Sequence, residues 1–271
     1  MSPLDIERAT IRAWPAAETE ERFGWFLLAS GGVTGRVNAA WPLGWTNEAS
    51  IDDAIASVEA WYAERNLPPR FKLTDAAFTP PDLPDVLARR GYAGSTHTLV
   101  MTRALSRFPD ARAASDPGSK VQLGSVLGPG SLALQSAGER VQMSEEMPKA
   151  FDDALVASTP DPTELDERRS IAARMPKPRA YACIEMDGRA AAVGASAIAD
   201  GLAGVFLMRT IAEARRRGCA RRILDALLDW AAARDAHDAF LQVEADNHGA
   251  IELYKRAGFT TLSSYRFWKQ R

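Results

Sequence analysis

Apolar and polar positions in the second half of the chain repeat with two periods. Ala180–Met186 and Ala190–Ile198 are apolar runs of strand length. Asp187-Gly188 joins them, and a dipeptide that accepts positive φ predicts a hairpin there. Gly204–Thr210, Phe240–Val243 and Thr260–Trp268 read as further strands. Ile223, Leu224, Leu227, Leu228 and Trp230 recur at helical spacing and predict a helix over Arg221–Ala233. A short helix over Ala250–Ala257 is stopped by Gly258. Upstream, Val121–Leu127 is a possible strand. Lys149–Ser158 and Glu164–Met175 are helices separated by the breaker Thr159-Pro160-Asp161-Pro162. The order predicts an α/β fold on a mixed, mostly antiparallel sheet flanked by helices.

Residues 106–119 carry no apolar period, are small and polar, and bear Pro and Gly, so they read as a linker. The parts on either side, 1–105 and 120–271, resemble each other. Trp61 and Trp230 each lie near the end of an apolar-periodic helix. Arg65 and Arg234 follow four residues later, and Phe71 and Phe240 open the next strand, all at one offset of 169 residues. After a two-residue slip, Ala257-Gly258-Phe259 falls on Arg90-Gly91-Tyr92. Fixed spacing across helix, strand and closing Gly-aromatic pair predicts a duplicated unit.

Composition narrows the functional class. Apolar residues make up 46% and charged residues 25%, a globular balance. A formal net charge of −2 supplies no general hold on nucleic acid. Cys183 and Cys219 match neither a disulfide framework nor a metal site. No run approaches the ~18 apolar residues of a membrane span, and the N-terminus lacks a basic-then-apolar signal pattern. The expectation is a cytoplasmic protein with no metal, no nucleic-acid partner and no membrane partner.

One segment carries chemistry. The strand Gly204–Thr210 runs into Ile211-Ala212-Glu213-Ala214-Arg215-Arg216-Arg217-Gly218-Cys219-Ala220-Arg221, a basic glycine-bearing loop that opens a helix. Backbone N–H groups at a helix N-terminus point outward, and the helix dipole favours an anion there. Gly218 lets a phosphate approach the backbone, Ala220 keeps the next approach narrow, and the arginines add charge-assisted hydrogen bonds. The geometry suits a pyrophosphate.

Arg215-x-x-Gly218-x-Ala220 matches the (Gln/Arg)-x-x-Gly-x-(Gly/Ala) signature of the GNAT N-acetyltransferase superfamily. Asn247-x-x-Ala250-x-x-Leu253-Tyr254-x-x-x-Gly258-Phe259 resembles its second signature, in the same order and spacing. The first motif alone is weak; the two together, between the right strands, are specific. The resemblance covers roughly residues 120–271. The whole chain more loosely resembles bacterial tandem members with a degenerate first half. It implies acetyl-CoA as acyl donor and a primary amine, on a small molecule or a protein, as acceptor. The backbone of Met208, Arg209 and Thr210 would pair with the pantetheine arm, and a strand N–H there would stabilise the oxyanion. Arg215, Arg216, Arg217, Gly218, Cys219, Ala220 and Arg221 would form the cofactor loop. Asn247 would hydrogen-bond the cofactor arm, and Tyr254 would protonate the departing thiolate.

Glu244, at the end of the strand before Asn247, is the candidate base, ahead of Glu185. His248 is expected to be exposed, and Cys219 to pack rather than react. The first half lacks this machinery. At the same offset the loop falls on Thr46-Asn47-Glu48-Ala49-Ser50-Ile51, without glycine or cation, and Tyr254 falls on Leu87 after the slip. Docking against the second half, the first half would shape the acceptor pocket. Its glycines in Ser30–Asn38 permit tight turns or close ligand approach, with the turn preferred. Trp41 and Trp45 beside it could line a pocket, with core packing preferred. The alternative to an enzyme is a non-catalytic acyl-CoA-binding sensor or scaffold.

Overall fold

The computed structural model describes residues 1–105 and 140–270. The linker at 106–119 and the strand at Val121–Leu127 lie outside those residues. The first half runs α1 (Pro3–Ala13), β1 (Glu18–Arg22), β2 (Trp25–Ala29), β3 (Ala39–Pro42), α2 (Ile51–Ala63), β4 (Arg70–Thr74), α3 (Leu83–Arg89) and β5 (Tyr92–Ala104). The second runs β6 (Val141–Ser144), α4 (Lys149–Ser158), α5 (Pro162–Arg174), β7 (Arg179–Met186), β8 (Arg189–Ala199), β9 (Leu202–Thr210), α6 (Cys219–Ala232), β10 (Asp238–Glu244), α7 (His248–Arg256) and β11 (Thr260–Gln270).

Local chemistry explains the ends. Asp187 and Gly188, at φ 51° and 74°, close the expected β7–β8 hairpin, because two positive φ values match the twist of the flanking strands. In α6 the periodic residues Ile223, Leu224, Leu227 and Leu228 are all buried. Gly91 and Gly258, at φ 84° and 86°, stop α3 and α7, and Tyr92 and Phe259 follow each into the core. The repeat extends to side chains: Arg65 lies 3.7 Å over the Trp61 ring, and Arg234 lies 4.7 Å over the Trp230 ring.

All the strands among the described residues join one sheet in the order β1-β2-β3-β4-β11-β5-β10-β9-β8-β7-β6. The β3–β4 and β9–β10 pairs are parallel, and the other neighbours are antiparallel. Each half gives its last strand to the other: β5 pairs with β10, and β11 pairs with β4. The two exchanged strands also pair with each other at the centre. One face of the sheet is covered by α1, α4 and α5, and the other by α6 and α7 on the second half and α2 and α3 on the first. Among the described residues no helix is long and apolar enough to cross a membrane.

The Ser30–Asn38 segment turns tightly and also clasps a helix. Asn38 Oδ1 accepts from the N–H groups of Ser30 and Gly32, while its Nδ2 donates to Glu167 Oε1 of α5 at 2.7 Å. The Thr34 N–H donates to the same carboxylate. This contact pins the first half against the second beside the centre of the sheet. Trp41 is buried in the core, and Trp45 stacks obliquely against buried Trp25.

Candidate active site

The site begins where the sheet opens. Strands β9 and β10 pair only over Leu202–Gly204 and Asp238–Phe240, then diverge. Beyond Gly204 the β9 edge facing β10 has no strand partner among the described residues, so its backbone groups are free to bind an extended chain. A bulge re-aims that edge. The β8–β9 register slips between Val193 and Ala195, and Leu207 sits at φ 54°, a conformation rare for a leucine. Met208, Arg209 and Thr210 follow immediately.

Past β9 a 3₁₀ turn at Ala212–Ala214 leads to the arginine loop, with Arg216 at φ 62° and Gly218 at φ 76°. Gly218 is the N-cap of α6. No side chain caps that end, the first turn holds no acid, and a Cβ at Gly218 would meet nothing within 4 Å. The leading N–H groups of α6 therefore face open space, as an anion cradle requires. The corresponding helix of the first half, α2, is closed: Ser50 accepts from the Asp53 N–H at 3.1 Å, and Asp52 and Asp53 occupy the first turn.

Two cavities meet at the opening. One, of about 890 Å³, is lined by the arginine loop, Thr210 and the start of α7. The other, of about 650 Å³, lies between the halves and is lined by Trp14, Arg36, Glu164, Gln242, Glu244 and Tyr265 among others. Met208, Arg209, Asn247, Ala250 and Tyr254 line both. Tyr254 belongs to α7 on one face of the sheet, yet it reaches the cavity on the other face, so the β9–β10 opening connects the two faces. Its side chain is buried, and burial raises its pKa above the ordinary phenol value, with Arg209 opposing the rise. It is therefore a protonated hydroxyl at neutral pH. Asn247 Oδ1 caps α7 by accepting from the Ala250 N–H at 3.1 Å, which leaves its amide NH₂ directed elsewhere. Glu244 is exposed at the end of β10.

The sequence matches the protein family described as "Probable histone acetyltransferase Rv0428c C-terminal" over residues 4–268. The chain belongs to that family, and with it to the GNAT N-acetyltransferase superfamily. It is 26% identical to "Uncharacterized N-acetyltransferase YobR" of Bacillus subtilis over 262 residues, 97% of this chain and 96% of that protein. It is 31% identical to "Probable histone acetyltransferase Rv0428c" of Mycobacterium tuberculosis over 102 residues, 37% of this chain and 30% of that protein. The fold matches a GCN5-related N-acetyltransferase from Kribbella flavida at TM-score 0.66 and 18% identity, covering 100% of this chain and 96% of that one. It also matches a tandem GNAT protein from the clavulanic acid biosynthesis pathway at TM-score 0.60 and 13% identity, covering 98% and 87%.

Within this GNAT chain the residues singled out from sequence fall in different places. Arg215, Arg216, Gly218, Cys219, Ala220 and Arg221 line the larger cavity. Arg217 is exposed on the same loop. The Arg221 guanidinium is engaged with Asp225 at 2.8 Å and with the Arg256 carbonyl at 2.9 Å. Cys219 is buried under α6. Glu185 sits on β7, three strands from β10, and His248 is exposed at the start of α7. Sequence reasoning missed the far wall of the smaller cavity. Arg36 donates to Gln242 Oε1 at 3.4 Å, and so does the Tyr265 hydroxyl, at 3.1 Å. Burial pushes the Tyr265 phenol up to about 12. The only sequence signal for this wall was the glycine-rich Ser30–Asn38 segment that holds Arg36.

Proposed function

We propose that the protein transfers the acetyl group of acetyl-CoA to a primary amine by direct attack. The observation that carries this reading is the position of Tyr254, a buried neutral phenol on the wall shared by the two cavities. The larger cavity suits the donor. The α6 N-terminus with Gly218 would hold the pyrophosphate, the free edge of β9 at Met208–Thr210 would pair with the pantetheine arm, and the Asn247 amide would bind it from α7. The smaller cavity would hold the acceptor.

In this scheme Glu244, directly or through water, takes a proton from the acceptor ammonium. The amine nitrogen then bonds to the acetyl carbon, and a β9 N–H stabilises the oxyanion. As the carbon–sulfur bond breaks, Tyr254 delivers its proton to sulfur, and the second proton shed by the newly bonded nitrogen passes through water to restore the Tyr254 phenol. Holding both reactants across one opening makes the encounter effectively unimolecular. The test is thiol release from acetyl-CoA across a panel of amines. Transfer that depends on Tyr254 supports the scheme. Tight CoA binding with no turnover on any amine points instead to an acyl-CoA sensor.

A further inference from the structure

The smaller cavity has an unbalanced wall. Among the described residues its lining includes the cations Arg36, Arg70, Arg168, Arg209 and Lys269, against the carboxylates Glu164 and Glu244. Arg168 is neutralised by Glu164 at 2.5 Å. The other four have no carboxylate within ion-pair distance among the described residues. Arg36 reaches the neutral oxygen of Gln242, Arg70 the Val33 carbonyl at 3.5 Å, and Arg209 the Met208 carbonyl at 2.9 Å.

Arg70 and Lys269 are also direct partners across the β4–β11 pair. Like charges set opposite one another weaken a sheet. Burial lowers the pKa of Arg36, Arg209 and Lys269, and Arg70 adds to the effect at Lys269. Lys269 is exposed, but Arg36 and Arg209 are desolvated, and desolvated cations without a charged partner are costly unless something anionic meets them. Guanidinium groups converging on one space match the planar oxygens of a carboxylate or phosphate.

We propose that the acceptor is an amine that also bears an anionic group, a carboxylate or phosphate, held by Arg36, Arg70 and Lys269. This deepens the acetyl-transfer reading and rests on it for the word acceptor; the anion site itself rests on the cavity alone. A lysine-rich protein tail is disfavoured by the same charges, which would repel it.

The test uses the full chain saturated with CoA. Calorimetry compares O-phosphoethanolamine with ethanolamine, and β-alanine with β-alaninamide, with a lysine-rich peptide as a fifth probe. At least one anionic probe should bind about 10-fold or more tighter than its neutral counterpart, and the better of the two identifies phosphate or carboxylate. The Arg70→Gln/Lys269→Gln variant should lose that difference while keeping its CoA affinity. Without an anionic probe it should melt no lower than the parent, since a repulsive pair has been removed. Equal binding within both pairs, no binding by any probe, or preference for the peptide overturns the proposal. Selective anion binding without acetylation of any amine leaves the anion site standing and removes acetyl transfer instead.

Discussion

The Lys72 ammonium and the Glu7 carboxylate form an ion pair that solvent does not reach, with side-chain exposures of 0% and 1%. Lys72 Nζ also lies 3.9 Å from the ring centroids of both Trp41 and Tyr265, and donates to Thr74 Oγ1 at 3.0 Å. Tyr265 in turn bonds Gln242, so the pair underlies the floor of the smaller cavity.

Removing one partner strands the other charge in the core. Lys72→Met alone should cost about 3–5 kcal/mol, and pairing it with Glu7→Leu should recover most of that loss. The pair also sets a pH dependence. Burial lowers the Lys72 pKa from 10.5 to about 8, with Glu7 opposing the fall. Between those values the unfolded chain binds more protons than the native one, so this group makes stability rise with pH across that window. Urea denaturation at pH 7.5, 9 and 10 should show the rise in the parent and not in the double variant.

Tyr254→Phe removes one hydroxyl that makes no hydrogen bond among the described residues, and it keeps the ring that packs against Phe259 at 6.1 Å. Stability should change by no more than about 0.5 kcal/mol. Turnover should fall by roughly 10²-fold or more with KM for acetyl-CoA unchanged, the signature of an interaction made only in the transition state. Because burial raises the phenol pKa, loss of activity through Tyr254 ionisation should begin at a higher pH than an ordinary phenol would give. Unchanged kcat would make Tyr254 a packing residue.

Gly218→Glu sets bulk and negative charge at the open start of α6. Calorimetry should find acetyl-CoA binding abolished in this variant. In the parent it should find one site per chain, because α2 is capped by Ser50 and carries Asp52 and Asp53 where α6 carries none. Two sites per chain, or unchanged affinity in the variant, would move the donor elsewhere.

A fragment of residues 140–271 would expose the β10 edge that β5 covers and leave β11 without β4. Size-exclusion chromatography should show it aggregated or self-associated. Co-expression with residues 1–105 should restore a soluble one-to-one complex. A monomeric, acetyl-CoA-binding 140–271 fragment would contradict this.

What was legible in the sequence was local. The Asp187-Gly188 turn, the α6 stripe and the glycine loop declare themselves within a few residues, because turn chemistry and helical period act over that range. The repeat was legible too, since Trp61, Arg65 and Phe71 keep their spacing in Trp230, Arg234 and Phe240. The exchange of β5 and β11 was not. An antiparallel strand of alternating residues fits several neighbours equally well, and only the packed sheet selects one. The smaller cavity was hidden for the same reason. Arg36, Arg70 and Lys269 share no local motif, and their meeting depends on which strand lies beside β4.

The exchange also orders events during synthesis. When residues 1–105 leave the ribosome, β4 and β5 have been made but the strand that separates them has not. That seat stays empty until Thr260–Gln270 emerges, so the N-terminal half cannot close its sheet on its own schedule. Loss of the last strand, through a premature stop codon or a protease, would damage the half of the molecule made first. Synthesis through β11 is thus built into the fold as a condition for either half being whole.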